Sequence, residues 1–153
     1  MGIMTPPSRK SCYNFRCLKI NRVVDGDTID VTIDLGFDLQ KKERVRVAGV
    51  DTPEKRTRNK EEKVLGIDAT NWLKAELEAA IKGEDDLIIR TELKGGVGKY
   101  GRLLGWLYIG DNTISLNEKM IAAGYAWDYD GGTKNKDFEE LREIRRRHGT
   151  LIE

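Results

Sequence analysis

Ile29-Asp30-Val31-Thr32-Ile33-Asp34-Leu35 alternates apolar and polar residues without a fault. Successive side chains of a strand point to opposite faces, so this run predicts a strand that buries Ile29, Val31, Ile33 and Leu35 on one side. Residues 36–43 read as a hairpin connection into a second strand over residues 44–50, where Val45 and Val47 alternate with Arg44 and Arg46. Upstream, strand character begins at Phe15. Downstream, residues 87–92 and 102–109 complete a count of five strands, the last closed by Gly110-Asp111-Asn112.

Helical spacing replaces alternation at Leu65, Ala69, Trp72, Leu73, Leu77, Ala80 and Ile81, a stripe that ends at Gly83. Ser115-Leu116-Asn117-Glu118 has the capping-box pattern of a short helix that stops at Gly124. A third helix is expected from about Asp137 to Gly149, with Phe138, Leu141 and Ile144 inward and Arg145-Arg146-Arg147 complementing its C-terminus. Trp72 and Trp106 are assigned to packing. The predicted class is α+β: a small five-stranded barrel with about three helices packed on it.

The chain has 153 residues, enough for one domain with a substantial core. Residues 15–153 are read as that domain, and residues 1–14 as a flexible extension. Nowhere does an apolar run approach the roughly 20 residues a membrane helix needs, so no membrane partner is expected. Residues 1–14 hold no apolar stretch of the signal-peptide kind, which favours a cytoplasmic location, although a processed, exported form would read the same. Net charge is only +1, so any attraction to a polyanion must be local. Cys12 and Cys17 are expected to be free thiols, and with His148 as the single histidine a zinc site is disfavoured.

Two short stretches have the makings of a cation site. Asp25-Gly26-Asp27-Thr28 falls where one strand turns into the next, with Gly26 allowing the bend. Asp51-Thr52-Pro53-Glu54 sets two carboxylates across a proline that fixes the backbone and stops the strand. Calcium takes six to eight oxygens, so Asp27, Asp51 and one carbonyl would leave positions for a phosphate oxygen and a water, and Glu54 would be free to act as a base. Arg46 lies opposite in parity to Val45 and Val47, and Arg102 follows Gly98-Lys99-Tyr100-Gly101. The planar guanidinium fork suits a phosphate that gains charge in the transition state. The basic run Lys55, Arg56, Arg58, Lys60 and Lys63 reads as a solvated loop rather than a phosphate-tracking rim.

In order and spacing these stretches resemble the staphylococcal nuclease family, from about Asn21 to Leu141. The resemblance implies an OB-type barrel, calcium held by Asp27, Asp51 and the Thr52 carbonyl, and a catalytic trio of Arg46, Glu54 and Arg102. Lys99 and Tyr100 match positions that contact a terminal phosphate. Tyr129 is a candidate for stacking on a base, its register altered because Trp127-Asp128-Tyr129 replaces the family's usual tyrosines. The implied activity is calcium-dependent hydrolysis of DNA, RNA or both by water attack, leaving 3′-phosphate ends, by a chain expected to act as a monomer. Two other classes stay open: a catalytically silent barrel that binds nucleic acid or protein, and a calcium-stabilised structural domain.

Overall fold

The computed structural model describes residues 5–8, 12–92, 102–134 and 136–152. Five strands close a barrel: β1 (Cys12–Asp25), β2 (Thr28–Gly36), β3 (Leu39–Val47), β5 (Leu87–Glu92) and β6 (Leu103–Ile109), in the order β1-β2-β3-β6-β5. All neighbours are antiparallel except β3 and β6, which run parallel with Val45 opposite Leu103. A separate two-stranded ribbon pairs β4 (Val50–Asp51) with β7 (Trp127–Asp128). The helices are α1 (Lys60–Lys82), α2 (Leu116–Ala122) and α3 (Phe138–Arg147), α1 lying in sequence between β4 and β5. This is the α+β barrel the sequence predicts.

The alternating run is buried on one face as far as Ile33. Ile29, Val31 and Ile33 are buried in the barrel core with Val45, Val47, Ile89 and Leu107, and Leu73 and Leu77 of α1 seal the same core. Leu35 lies beyond it and is exposed. The expected connection over residues 36–43 is instead mostly strand: Gln40, Lys41 and Lys42 pair with Asp34, Ile33 and Thr32, leaving Phe37 and Asp38 as the turn. Backbone pairing needs no apolar alternation, and here the hairpin projects past the core, so its side chains on both faces are exposed. Likewise β1 starts at Cys12, ahead of Phe15, because Cys12, Tyr13 and Asn14 find partners in Glu92, Thr91 and Arg90 far along the chain.

All three helices are capped by side chains. Asn59 accepts from the Glu62 N–H at 3.1 Å, Ser115 from that of Glu118 at 3.1 Å, and Asp137 from that of Glu140 at 3.2 Å. Trp106 is buried as expected, and Trp72 is half-buried and stacked on Tyr125 at 5.5 Å. Arg145 departs from its expected role. It is buried, its guanidinium donates to Asp68 of α1 and to the Thr150 carbonyl at 2.7 Å each, and it lies over the Tyr125 ring. Arg145 therefore latches α3 to α1, while Arg146 pairs with Glu139 and Glu143 on its own helix. Cys12 and Cys17 are free thiols, and burial pushes the Cys17 thiol up to about 11. Among the described residues, no helix is long and apolar enough to cross a membrane.

Candidate active site

Where β1 hands over to β2, Asp25 and Asp27 line a cleft of about 510 Å³. Gly26 is required there by contact rather than by backbone angle: a Cβ on it would stand 2.9 Å from both the Ala69 Cβ and the Thr52 Cγ2. α1 and the residue 52–54 turn thus press directly onto the Asp25-Gly26-Asp27 bend. Asp27, Arg46, Thr52, Glu54, Arg102 and Tyr129 all line this cleft. Lys99 and Tyr100 lie outside the described residues.

Arg46 is buried and held from two sides, donating to the Val47 carbonyl at 2.7 Å and the Val50 carbonyl at 2.8 Å. Its guanidinium also stands 3.5 Å from Asp27 Oδ2. Asp27 in turn accepts from the Thr28 hydroxyl at 3.0 Å and the Thr52 hydroxyl at 3.2 Å. Burial acts to raise the Asp27 carboxyl, but the Arg46 charge and these hydrogen bonds outweigh it and hold the group below the usual carboxylate range.

Asp51 differs. It is 1 % exposed, does not reach the cleft wall, and neither carboxylate oxygen has a hydrogen-bond partner among the described residues. Burial raises its pKa, partly offset by Lys134, whose ammonium stands 3.4 Å from Oδ1. A buried carboxylate without hydrogen bonds is costly in isolation, and a bound cation would relieve that cost. This donor set fits a hard cation. Among the described residues no group of three or more His, Cys, Asp or Glu side chains gathers for a metal, so two carboxylates would have to be completed by other oxygens.

The β4–β7 ribbon positions the remaining wall. Trp127 pairs with Asp51, the Tyr129 N–H donates to the Gly49 carbonyl at 2.9 Å, and the Lys134 ammonium lies 5.9 Å from the centre of the Tyr129 ring. Of the basic run after Glu54, Lys55 is tied inward, its ammonium donating to the Val24 carbonyl at 2.8 Å. Arg56, Arg58, Lys60 and Lys63 are exposed, as the solvated reading expects, but only the first two lie in a loop: Lys60 and Lys63 belong to the first turn of α1.

With this geometry in view, comparison with known proteins is decisive. A family model described as staphylococcal nuclease homologue matches residues 44–148. The chain belongs to the staphylococcal nuclease family. It is 37% identical over 123 residues to a thermonuclease of Staphylococcus intermedius, which covers 78% of this chain and 65% of that protein. It is 30% identical over 112 residues to an uncharacterized endonuclease of Escherichia coli, 73% of this chain and 60% of the other. It is 32% identical over 140 residues to endonuclease YncB of Bacillus subtilis strain 168, 90% of this chain and 61% of the other. The chain thus spans about 60–65% of the length of these curated relatives.

In this member of the staphylococcal nuclease family, three residues in or beside the cleft have no role in the sequence reading. Lys134 sits in a Gly- and Lys-rich loop whose composition says nothing of Asp51. Glu62 looked like one more charge in a solvated run, yet it is buried beside the Glu54 turn. Asp25 was visible in the motif but given no task. Its carboxylate accepts from the Asp27 N–H at 3.1 Å, and burial, reinforced by the Asp27 charge, pushes it up to about 6.

That raised value has a measurable consequence. Above the ordinary carboxylate pKa of about 4 the unfolded chain has released this proton, whereas the folded chain keeps it until about pH 6. Metal-free stability is therefore expected to fall as pH rises through this window. Asp51, also raised, adds to the fall, and Asp27, held low, contributes the opposite slope only at more acid pH. Urea unfolding across the window should show the decline in the parent and a flatter profile in Asp25→Asn. An unchanged profile in the variant would reject the assignment.

Proposed function

We propose that this chain is a calcium-dependent nuclease that hydrolyses phosphodiester bonds of DNA, RNA or both, leaving 3′-phosphate ends. One observation carries the reading: Arg46, Glu54 and Arg102 face one cleft beside Asp27 and Thr52, with the un-hydrogen-bonded Asp51 carboxylate buried behind it. Family membership and the endonuclease and thermonuclease names of its relatives support it.

Asp27, Asp51 and the Thr52 carbonyl would hold the calcium, with the Asp27 charge already developed in the absence of metal. Calcium bound there would supply positive charge to polarise a phosphate oxygen and organise water. The chain's own residues supply the rest. Glu54 is exposed to the cleft, so its carboxylate takes a proton from the attacking water. Arg46, fixed by two backbone carbonyls, presents its guanidinium without having to reorganise, and Arg102 lines the same cleft from the residue just before β6. Both act most strongly where the phosphorus gains negative charge, which lowers the barrier rather than merely binding substrate. Tyr129 stacks on a base at the far wall.

Gel assays on single- and double-stranded DNA and RNA test the proposal. Cleavage is expected with calcium, less with magnesium, which prefers a tight octahedron, and none in excess chelator. Full activity in chelator would sink the metal assignment. Asp51→Asn should abolish cleavage while raising the midpoint of metal-free thermal unfolding, because the cost of burying the Asp51 charge outweighs its attraction to Lys134. Binding without any cleavage by the parent would favour the silent-barrel reading.

A further inference from the structure

The turn that carries Glu54 is fastened from several sides while the Glu54 side chain itself is left in the cleft. Ahead of it, Thr52 bonds to Asp27; after it, Lys55 reaches the Val24 carbonyl. The Glu54 N–H donates to Glu62 Oε2 at 3.1 Å. Glu62 belongs to the first turn of α1, is 9 % exposed, and receives at the same oxygen the Lys136 ammonium at 3.4 Å. The helix also touches the turn directly. A Cβ on Gly66 would lie 2.6 Å from the Glu54 carbonyl carbon and oxygen and 2.7 Å from the Lys55 nitrogen, so only glycine lets α1 approach this peptide.

A buried carboxylate needs partners, and Glu62 finds them in the backbone of the proposed base and in a cation from the loop before α3. We propose that Glu62, supported by Lys136, is a positioning residue for Glu54: it fixes the peptide from which the Glu54 carboxylate reaches the water. This rests on the nuclease reading above. The clamp is economical in one respect. It constrains the backbone of Glu54 and leaves its carboxylate unoccupied by any of these contacts, so precision is gained without quenching the base.

Displacement of a catalytic group by about 1 Å can cost on the order of 10²-fold, which sets the scale. Single-turnover cleavage with calcium, affinity for a non-cleaved nucleotide, and hydrogen exchange at the Glu54 amide would be measured on E62A, E62Q, K136M, E54Q and the E54Q/E62A double variant. E62A is expected to cleave about 10- to 10²-fold more slowly with nearly unchanged affinity, and to exchange the Glu54 amide faster. E62Q, whose amide oxygen still accepts, should recover most of both effects, and K136M should show a smaller loss. In the E54Q background E62A should add nothing, since Glu62 acts through Glu54. A further loss in the double variant as large as in the parent, or an unchanged Glu54 exchange rate in E62A, would overturn the proposal. Should E62A not fold, unaltered exchange in both E62Q and K136M would overturn it equally. If E54Q cleaves like the parent, the role of Glu54 as base fails instead, and exchange at its amide still decides whether Glu62 holds the turn.

Discussion

Arg102→Lys is expected to slow single-turnover cleavage by about 10²- to 10³-fold, the scale for losing one preorganised donor to a charge that develops in the transition state. Lysine keeps the positive charge but replaces a planar fork by a point charge on a flexible stem, so two parallel hydrogen bonds to phosphate oxygens become one. Glu54→Gln keeps shape and hydrogen bonding but removes the proton acceptor, and should cost about 10²-fold or more. Both residues line the cleft, and neither belongs to the barrel core, so both variants should fold. Affinity for a non-cleaved nucleotide should stay near the parent value for Glu54→Gln, because a base contributes to the reaction rather than to holding the substrate. Parental rates in both variants would show that the chemistry lies elsewhere.

The largest expected effect on stability belongs to Asn117. This buried side chain accepts from the Leu107 N–H at 2.9 Å and donates to the Ala48 carbonyl at 2.7 Å and the Gly105 carbonyl at 3.1 Å. It therefore joins α2 to β6 and to the chain just after β3, at the parallel seam of the barrel. Gly105 O retains the Ala48 N–H at 2.9 Å, but Asn117→Ala would strand the Leu107 N–H and the Ala48 carbonyl. Two buried groups left without partners should cost about 2 to 5 kcal/mol, read as a lower urea midpoint with little change in slope. A loss under about 0.5 kcal/mol, the size of an ordinary surface substitution, would mean that water or relaxation replaces these bonds.

What could be read from the sequence was set by the range of each interaction. Ile29 to Ile33 announce a half-buried strand because alternation is a local signal, and Ser115 with Glu118 announce a helix start for the same reason. Asp27, Arg46, Thr52, Glu54 and Arg102 are legible as a set through the resemblance to the staphylococcal nuclease family, and the fold brings them to one cleft. The hairpin over Gln40 to Lys42 was missed because its pairing is carried by backbone groups that leave no mark in side-chain pattern. Glu62, Lys134 and Arg145 were missed as participants for a different reason. Each is a charged residue in a charged stretch, and only the partner, at Glu54, Asp51 or Asp68, separates a buried anchor from a solvated side chain. The Asp51 carboxylate stands out in the sequence, yet its burial behind the cleft wall depends on the β4–β7 ribbon, each strand of which is two residues long.

The order of pairing around the barrel bears on when the chain becomes dangerous to its surroundings. A ribosome releases the Asp27-to-Glu54 stretch early, but β1 cannot pair with β5, nor β3 with β6, until those later strands have emerged. Arg102 arrives with β6, and Tyr129 and the loop bearing Lys134 later still. Contacts between distant parts of a chain are slow to form and are made cooperatively. The carboxylates and arginines of the cleft are thus present in the nascent polypeptide without being assembled, and the proposed activity would switch on only at completion of the fold. If the chain is the nuclease proposed above, it would leave the ribosome before its cleft is assembled.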